Sequence, residues 1–212
     1  MDRPPRALLV DFGGVLTSSV WPAFAGACAA RGLAPQAIKR LFRSNPALLA
    51  ALREVETGAA DEAAFAAALA ARLGVDPDGL LDDVLGRLEP DREMLALVRA
   101  ARAAGHPTGL VSNSLGIERY DRALLAELFD AVVLSGEVGL HKPQEAIFRL
   151  AATRVDRPAQ ACVFVDDLEE NCRGAVAAGM RAVRHRSTAE TVPAVRALLL
   201  SNEPVQEDED HG

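Results

Sequence analysis

The sequence predicts an α/β fold: a Rossmann-like, doubly wound parallel sheet with an all-helical segment inserted after the first strand. Three observations lead there. Short apolar runs recur along the chain, each ending at a polar or turn-forming residue. Beyond about Pro90, segments of helical period separate these runs. Before Pro90 lies a long alanine-rich stretch with no strand signal. Strands alternating with helices imply right-handed crossovers, hence a parallel sheet covered on both faces.

In chain order, Ala7 to Val10 reads as a buried strand that ends at Asp11 and turns at Gly13-Gly14. Residues 61–73 are the clearest helix of the alanine-rich stretch, because acids open it and Gly74 closes it. Pro22, Pro35, Pro46 and Pro77 divide the rest of that stretch into short helices. Past Pro90, Met94, Leu97, Val98 and Ala101 share one helical face, and Gly105 breaks the chain before a strand at 108–111. Ile117, Tyr120, Leu124, Leu125 and Leu128 line a further helix. A strand at 131–134, a helix at 144–155 and a strand at 162–165 follow. A last helix at 171–178 leads into Arg181-Ala182-Val183. The expected organisation is a core of residues 1–14 and 91–200, a helical unit of 15–90 and a disordered acidic tail of 201–212.

Composition narrows the function. At 212 residues the chain is one catalytic-sized unit, half hydrophobic and a quarter charged. Its formal charge is −7, but Glu203, Glu207, Asp208, Glu209 and Asp210 account for five of those charges, leaving −2 for the rest. No basic face is available for a phosphate backbone, so nucleic-acid binding is not expected. The apolar run before Asp11 is too short for a secretory segment, and no stretch is expected to span a membrane. Cys28, Cys162 and Cys172 are odd in number and lack metal or redox spacing, which points to reduced core thiols in a cytoplasmic compartment. Trp21, Phe24, Phe42 and Phe65 read chiefly as the core of the helical unit.

In an open parallel sheet the ligand lies outside the carboxyl ends of the strands, so the residues after each apolar run matter most. Those are Asp11, then Ser112-Asn113-Ser114, then Lys142, then Asp166-Asp167. Adjacent acids at the mouth of a buried strand repel one another, and a hard divalent cation with oxygen ligands relieves that repulsion. A carboxylate such as Asp11 can attack phosphorus to form an acyl phosphate once a cation neutralises it and the incoming dianion. Lys142 then adds fixed positive charge and Ser112 a hydroxyl donor where charge develops.

These motifs together resemble the haloacid dehalogenase-like hydrolase superfamily, in the group with a helical cap inserted after the first motif. Asp11-Phe12-Gly13-Gly14-Val15-Leu16-Thr17 resembles the nucleophile loop, and Leu110-Val111-Ser112-Asn113-Ser114 the second motif. Gly139-Leu140-His141-Lys142-Pro143 is similar to the lysine motif, and Val163 to Asn171 to the acidic fourth. Within the superfamily the chain is most similar to the phosphatase-type N-terminal domain of epoxide hydrolases. The resemblance implies catalysis by Asp11, Ser112 and Lys142, and substrate binding by Ser112, Asn113 and Lys142. It further implies Mg2+ held by Asp11, the Gly13 carbonyl, Asp166 and Asp167, with Asp167 the direct ligand of the acidic pair and Asn171 in place of a further acid. A small phosphorylated substrate and a monomer or homodimer are expected.

One position departs from that pattern. Phosphatases of the family carry a second aspartate two residues after the nucleophile, where it protonates the leaving oxygen, and here that position is Gly13. General acid–base help is worth roughly 10²–10⁴-fold. Three readings follow: a magnesium-dependent phosphohydrolase with acid–base help from elsewhere, a phospho-ligand binding or regulatory module, and a dehalogenase-type hydrolase whose chemistry needs no proton on a leaving oxygen.

Overall fold

A computed structural model of the chain describes residues 6–201. Five strands form one parallel sheet in the order β3-β2-β1-β4-β5. They are β1 (Ala7–Val10), β2 (Thr108–Ser112), β3 (Ala131–Leu134), β4 (Cys162–Asp166) and β5 (Arg181–Arg184). The three central strands are buried along their whole length, which is why they read as continuous apolar runs. Their side chains nonetheless alternate between two cores. Leu8, Val10, Val163 and Val165 point into one, and Ala7, Leu9, Cys162 and Phe164 into the other.

Five helices lie between β1 and the first core helix: α1 (Val20–Ala30), α2 (Ala37–Ser44), α3 (Pro46–Glu56), α4 (Glu62–Leu73) and α5 (Leu80–Leu85). They share a separate core that includes Ile38, Leu48, Val55, Phe65, Leu69 and Leu80. The chain leaves and re-enters the sheet side by side. Thr17 bridges Pro90, the Asp91 amide donates to the Leu16 carbonyl at 2.8 Å and the Ser18 amide donates to the Glu89 carbonyl at 2.7 Å. The 61–73 reading fits closely, with the Asp61 carboxylate capping the Ala64 amide at 2.7 Å and Gly74 in the left-handed conformation. Phe42 and Phe65 are buried, whereas Trp21 is 38% exposed with the Lys39 ammonium 5.2 Å above its ring.

The remaining helices are α6 (Arg92–Ala103), α7 (Arg122–Leu128), α8 (Ser135–Val138), α9 (Glu145–Arg154), α10 (Glu169–Ala177) and α11 (Thr188–Leu200). Met94, Leu97, Leu125, Leu128, Val195 and Leu199 place α6, α7 and α11 on one face of the sheet, while Ile147, Phe148 and Ala175 place α9 and α10 on the other. All three cysteines are buried and free. No helix among the described residues is long and apolar enough to cross a membrane.

Several readings need correction. The single helix expected over 117–128 is a 3-10 turn, Ile117–Arg119, followed by α7, because the Asp121 carboxylate accepts from the Ala123 and Leu124 amides and starts the helix anew. Pro22 sits in the first turn of α1 without breaking it, where a missing N–H costs nothing. The helix at 171–178 begins earlier, at Glu169, and it is not the last. Helix α11 follows β5, capped by Ser187 and spanning Pro193, with Thr191, Val195 and Leu199 inward. Four-residue α8 is too short to show a helical period in the sequence. The acidic tail lies outside the described residues from 202 onward.

Gly174 on α10 lies against the backbone that follows Lys142. A Cβ there would stand 2.3 Å from the Pro143 carbonyl oxygen and 2.9 Å from the Phe148 ring. Gly174→Ala is therefore expected to lower stability by about 1–3 kcal/mol, as overpacking does. Chemical denaturation measures this, and an unchanged midpoint would show that the lysine loop yields freely.

Candidate active site

The sheet order reverses at β1: β2 and β3 lie to one side of it, β4 and β5 to the other. The carboxyl ends of β1, β2 and β4 surround this switch point, where α/β sheets bind ligands. Asp11 continues β1, its amide donating to the Val165 carbonyl at 2.9 Å. Ser112 ends β2 and Asp166 ends β4. Lys142 reaches in from the loop between α8 and α9, preceding a cis Pro143.

The lysine ammonium lies 2.7 Å from Asp11 Oδ1 and 2.7 Å from Asp166 Oδ2. All three groups are buried. Asn113 holds the lysine in place by its backbone: its side-chain carbonyl accepts the Lys142 amide at 2.8 Å, and its side-chain amide donates to the Lys142 carbonyl at 3.2 Å. Both polar ends of Asn113 are thus engaged with protein. The Ser112 hydroxyl is 3.0 Å from the Tyr120 hydroxyl.

The two acids after β4 differ in surroundings. Asp166 is fully buried and accepts from Lys142, from Asn171 Nδ2 at 3.0 and 3.1 Å, and from the Leu168 amide at 2.9 Å. Asp167 is half-buried, and its carboxylate lies over Gly14, so close that a Cβ there would come within 2.7 Å of Oδ2. Gly14 adopts φ +75°, whereas Gly13 lies outside the left-handed region, and a Cβ at Gly13 would meet only Val20 Cγ1 at 3.9 Å. The glycine that the turn demands is Gly14.

One oxygen each of Asp11, Asp166 and Asp167 lie within 4.8 Å of one another. Three carboxylates against one ammonium leave two negative charges uncompensated when all are ionised. Burial accordingly pushes Asp11 up to about 7, opposed by Lys142 and reinforced by Asp166. Burial also pushes Asp167 up to about 6, with Asp166 adding to the rise and Lys142 opposing it. Burial works against the Lys142 charge, but Asp11 and Asp166 outweigh it and hold the ammonium protonated well above its usual range.

Sequence reasoning missed two residues at this site. Tyr120, read as one of a helical stripe, stacks edge-on against Phe12 with centroids 5.0 Å apart and shares a hydrogen bond with the Ser112 hydroxyl; burial keeps the phenol neutral, pushed up to about 12. Glu56 ends α3, its backbone carbonyl accepts from Ser135, and its carboxyl feels the charge of Lys142. A faint signal marks it: a glutamate in the last turn of a helix opposes the macrodipole.

A family model described as haloacid dehalogenase-like hydrolase matches residues 5–179. The chain belongs to this family of hydrolases. Its fold is shared with a haloacid dehalogenase-like enzyme of Bacteroides thetaiotaomicron at a TM-score of 0.68 and 21% identity, covering 87% of this chain and 95% of the other. That enzyme has also been solved in complex with magnesium and inorganic phosphate, at a TM-score of 0.67 and 22% identity to this chain. An L-2-haloacid dehalogenase is comparably similar, at 0.67 and 20%, covering 92% of this chain and 100% of its own. A 56-residue segment is 43% identical to the drimenol cyclase drtB of Aspergillus calidoustus, spanning 26% of this chain but only 11% of the cyclase.

The raised Asp167 gives a pH test. Its folded-state pKa lies above the ordinary 3.8, so its contribution to stability is complete below about pH 4 and is lost as pH rises through about 6. In metal-free protein, Asp167→Asn should therefore melt at a higher temperature than wild type above pH 6 and lose that advantage near pH 4. Thermal melts across this range decide it, and a pH-independent difference would remove charge repulsion as the cause.

Proposed function

We propose that the chain is a magnesium-dependent phosphohydrolase acting through an aspartyl-phosphate on a small phosphorylated metabolite. The observation that carries the reading is the uncompensated negative charge of Asp11, Asp166 and Asp167 around a single lysine. A dehalogenase needs no such cluster, whereas a divalent cation needs the negative charge, and a phosphate dianion approaching these carboxylates needs that cation. The donor set is all oxygen and compact, which suits magnesium. Asp11, Asp167 and the Gly13 carbonyl would hold the ion, beside Asp166, and it would neutralise the nucleophile and the incoming dianion.

The side chains divide the remaining work. Asp11 Oδ1 is occupied by the Lys142 ammonium and by its neighbour's amide, Phe12 N at 2.7 Å, which leaves Oδ2 to attack phosphorus. Lys142 also offers its charge to the phosphoryl oxygens, and Ser112 offers its hydroxyl. As the Asp11–phosphorus bond forms, the bond to the leaving oxygen breaks. Water then attacks the phosphorus, returning Asp11 as a carboxylate and releasing inorganic phosphate. Asn113 supports turnover by fixing the lysine backbone, and Asn171 by orienting Asp166. A cytoplasmic location and a monomeric or homodimeric state accompany this reading.

Incubation with acetyl phosphate and magnesium should add one phosphoryl group, seen by intact mass, and Asp11→Asn should abolish both the adduct and all ester hydrolysis while leaving the melting temperature within a few degrees. Tight phosphate-ester binding with neither adduct nor turnover would make the protein a binding module instead. Metal-independent halide release from a 2-haloacid would make it a dehalogenase.

A further inference from the structure

If phosphate esters are the substrates, the leaving oxygen needs a proton that Gly13 cannot supply, and the other acids at the site are committed. Asp11 is the nucleophile, Asp166 accepts four hydrogen bonds from Lys142, Asn171 and Leu168, and Asp167 faces the cation position. On the helical unit, Glu62 and Asp82 are both paired with Arg119, and Asp83 with Arg31. Glu56 is the acid of that unit that feels the charge of Lys142 and whose backbone is tied to the sheet.

Its backbone is docked on the catalytic rim of the sheet. Ser135, fully buried just after β3, donates its hydroxyl to the Glu56 carbonyl and accepts the Ser114 amide at 2.8 Å. The Ser114 hydroxyl in turn accepts the Gly136 amide at 3.0 Å. Two residues past Glu56, Gly58 at φ +74° passes so close to the Gly136 carbonyl that a Cβ would stand 2.7 Å from its oxygen. The end of α3 is therefore tied directly to the segment after β3 that leads to Lys142, and through Ser135 to the loop that follows Ser112. The Glu56 carboxyl is partly buried and makes no hydrogen bond or ion pair among the described residues, yet it shares the local field with Lys142 and Tyr120.

We propose that Glu56 is the general acid and base of this enzyme, delivered by the helical unit in place of the absent side chain at position 13. The inference rests on the phosphohydrolase reading. In the first step the Glu56 carboxylic acid gives its proton to the leaving oxygen as the bond to phosphorus breaks. In the second, the resulting carboxylate takes a proton from the water that attacks the aspartyl-phosphate, restoring the acid. Burial pushes Glu56 up to about 7, against the opposing pull of Lys142 and of Arg53 on its own helix, which suits a group that must both give and take a proton. Tyr120, the remaining titratable group facing it, is neutral in this range.

The test compares Glu56→Gln with wild type on an alkyl phosphate and on p-nitrophenyl phosphate, whose leaving group departs without a proton. On the alkyl ester, turnover should fall by roughly 10²–10⁴-fold. On the aryl ester, a stoichiometric burst of p-nitrophenol should appear, with the phosphoryl group retained on Asp11 by intact mass because the water lacks its base. Adding Gly13→Asp to Glu56→Gln should restore turnover of the alkyl ester, since position 13 has room for a side chain and no left-handed φ. Equal losses on both esters with no burst, or wild-type turnover of the alkyl ester by Glu56→Gln, would overturn the role of Glu56 alone. A wild-type protein that hydrolyses neither ester and takes no phosphoryl group from acetyl phosphate would overturn the phosphohydrolase reading with it.

Discussion

The position of one ammonium group governs the site. Lys142 Nζ lies between Asp11 and Asp166 at 2.7 Å from each, in surroundings where an unpaired charge would cost several kcal/mol. Much of the nearby structure serves to hold that nitrogen in place. Asn113 grips the lysine backbone at both its amide and its carbonyl, Gly174 lets the chain after it press against α10, and Asn171 keeps Asp166 turned toward it. One lysine cannot balance three carboxylates, however. The residual negative charge is what a divalent cation at the cluster would offset.

Two glycines adjacent in the nucleophile loop have different reasons to be there. Gly14 is required by backbone conformation and by the carboxylate of Asp167 directly above it. Gly13 is required by neither, since it is not left-handed and its missing side chain would find space. The structure thus separates a glycine that the turn requires from one that it does not. The helical unit is tied down through Ser135, Gly58 and Arg119, and under the proposed mechanism its Glu56 does the work that Gly13 cannot.

The corrections to the sequence reading share a cause. Residues 117–128 look like one helix by their apolar spacing, but Asp121 caps a new start and frees Tyr120 to turn toward Ser112. Helix α11 contains Pro193, a residue that disfavours helix interiors, and its inward face of Thr191, Val195 and Leu199 is defined by the sheet it covers. Local propensity was overruled in each case by a cap or by tertiary burial.

By itself the sequence determined the architecture and the membership of the central cluster. Buried parallel strands must be apolar throughout, so their ends are marked in the chain; Asp11, Ser112, Asp166 and Asp167 stand at or just beyond those ends, and Lys142 in the connection that follows β3. Only the tertiary structure decided what each of them touches: that Asn113 serves the lysine backbone, that Asp166 is saturated with donors while Asp167 is not, and that Tyr120 stands beside Ser112. Strand ends are encoded by short-range pattern. The tie between the end of α3 and the segment after β3 joins Glu56 to Ser135, 79 positions apart, and no local pattern records it.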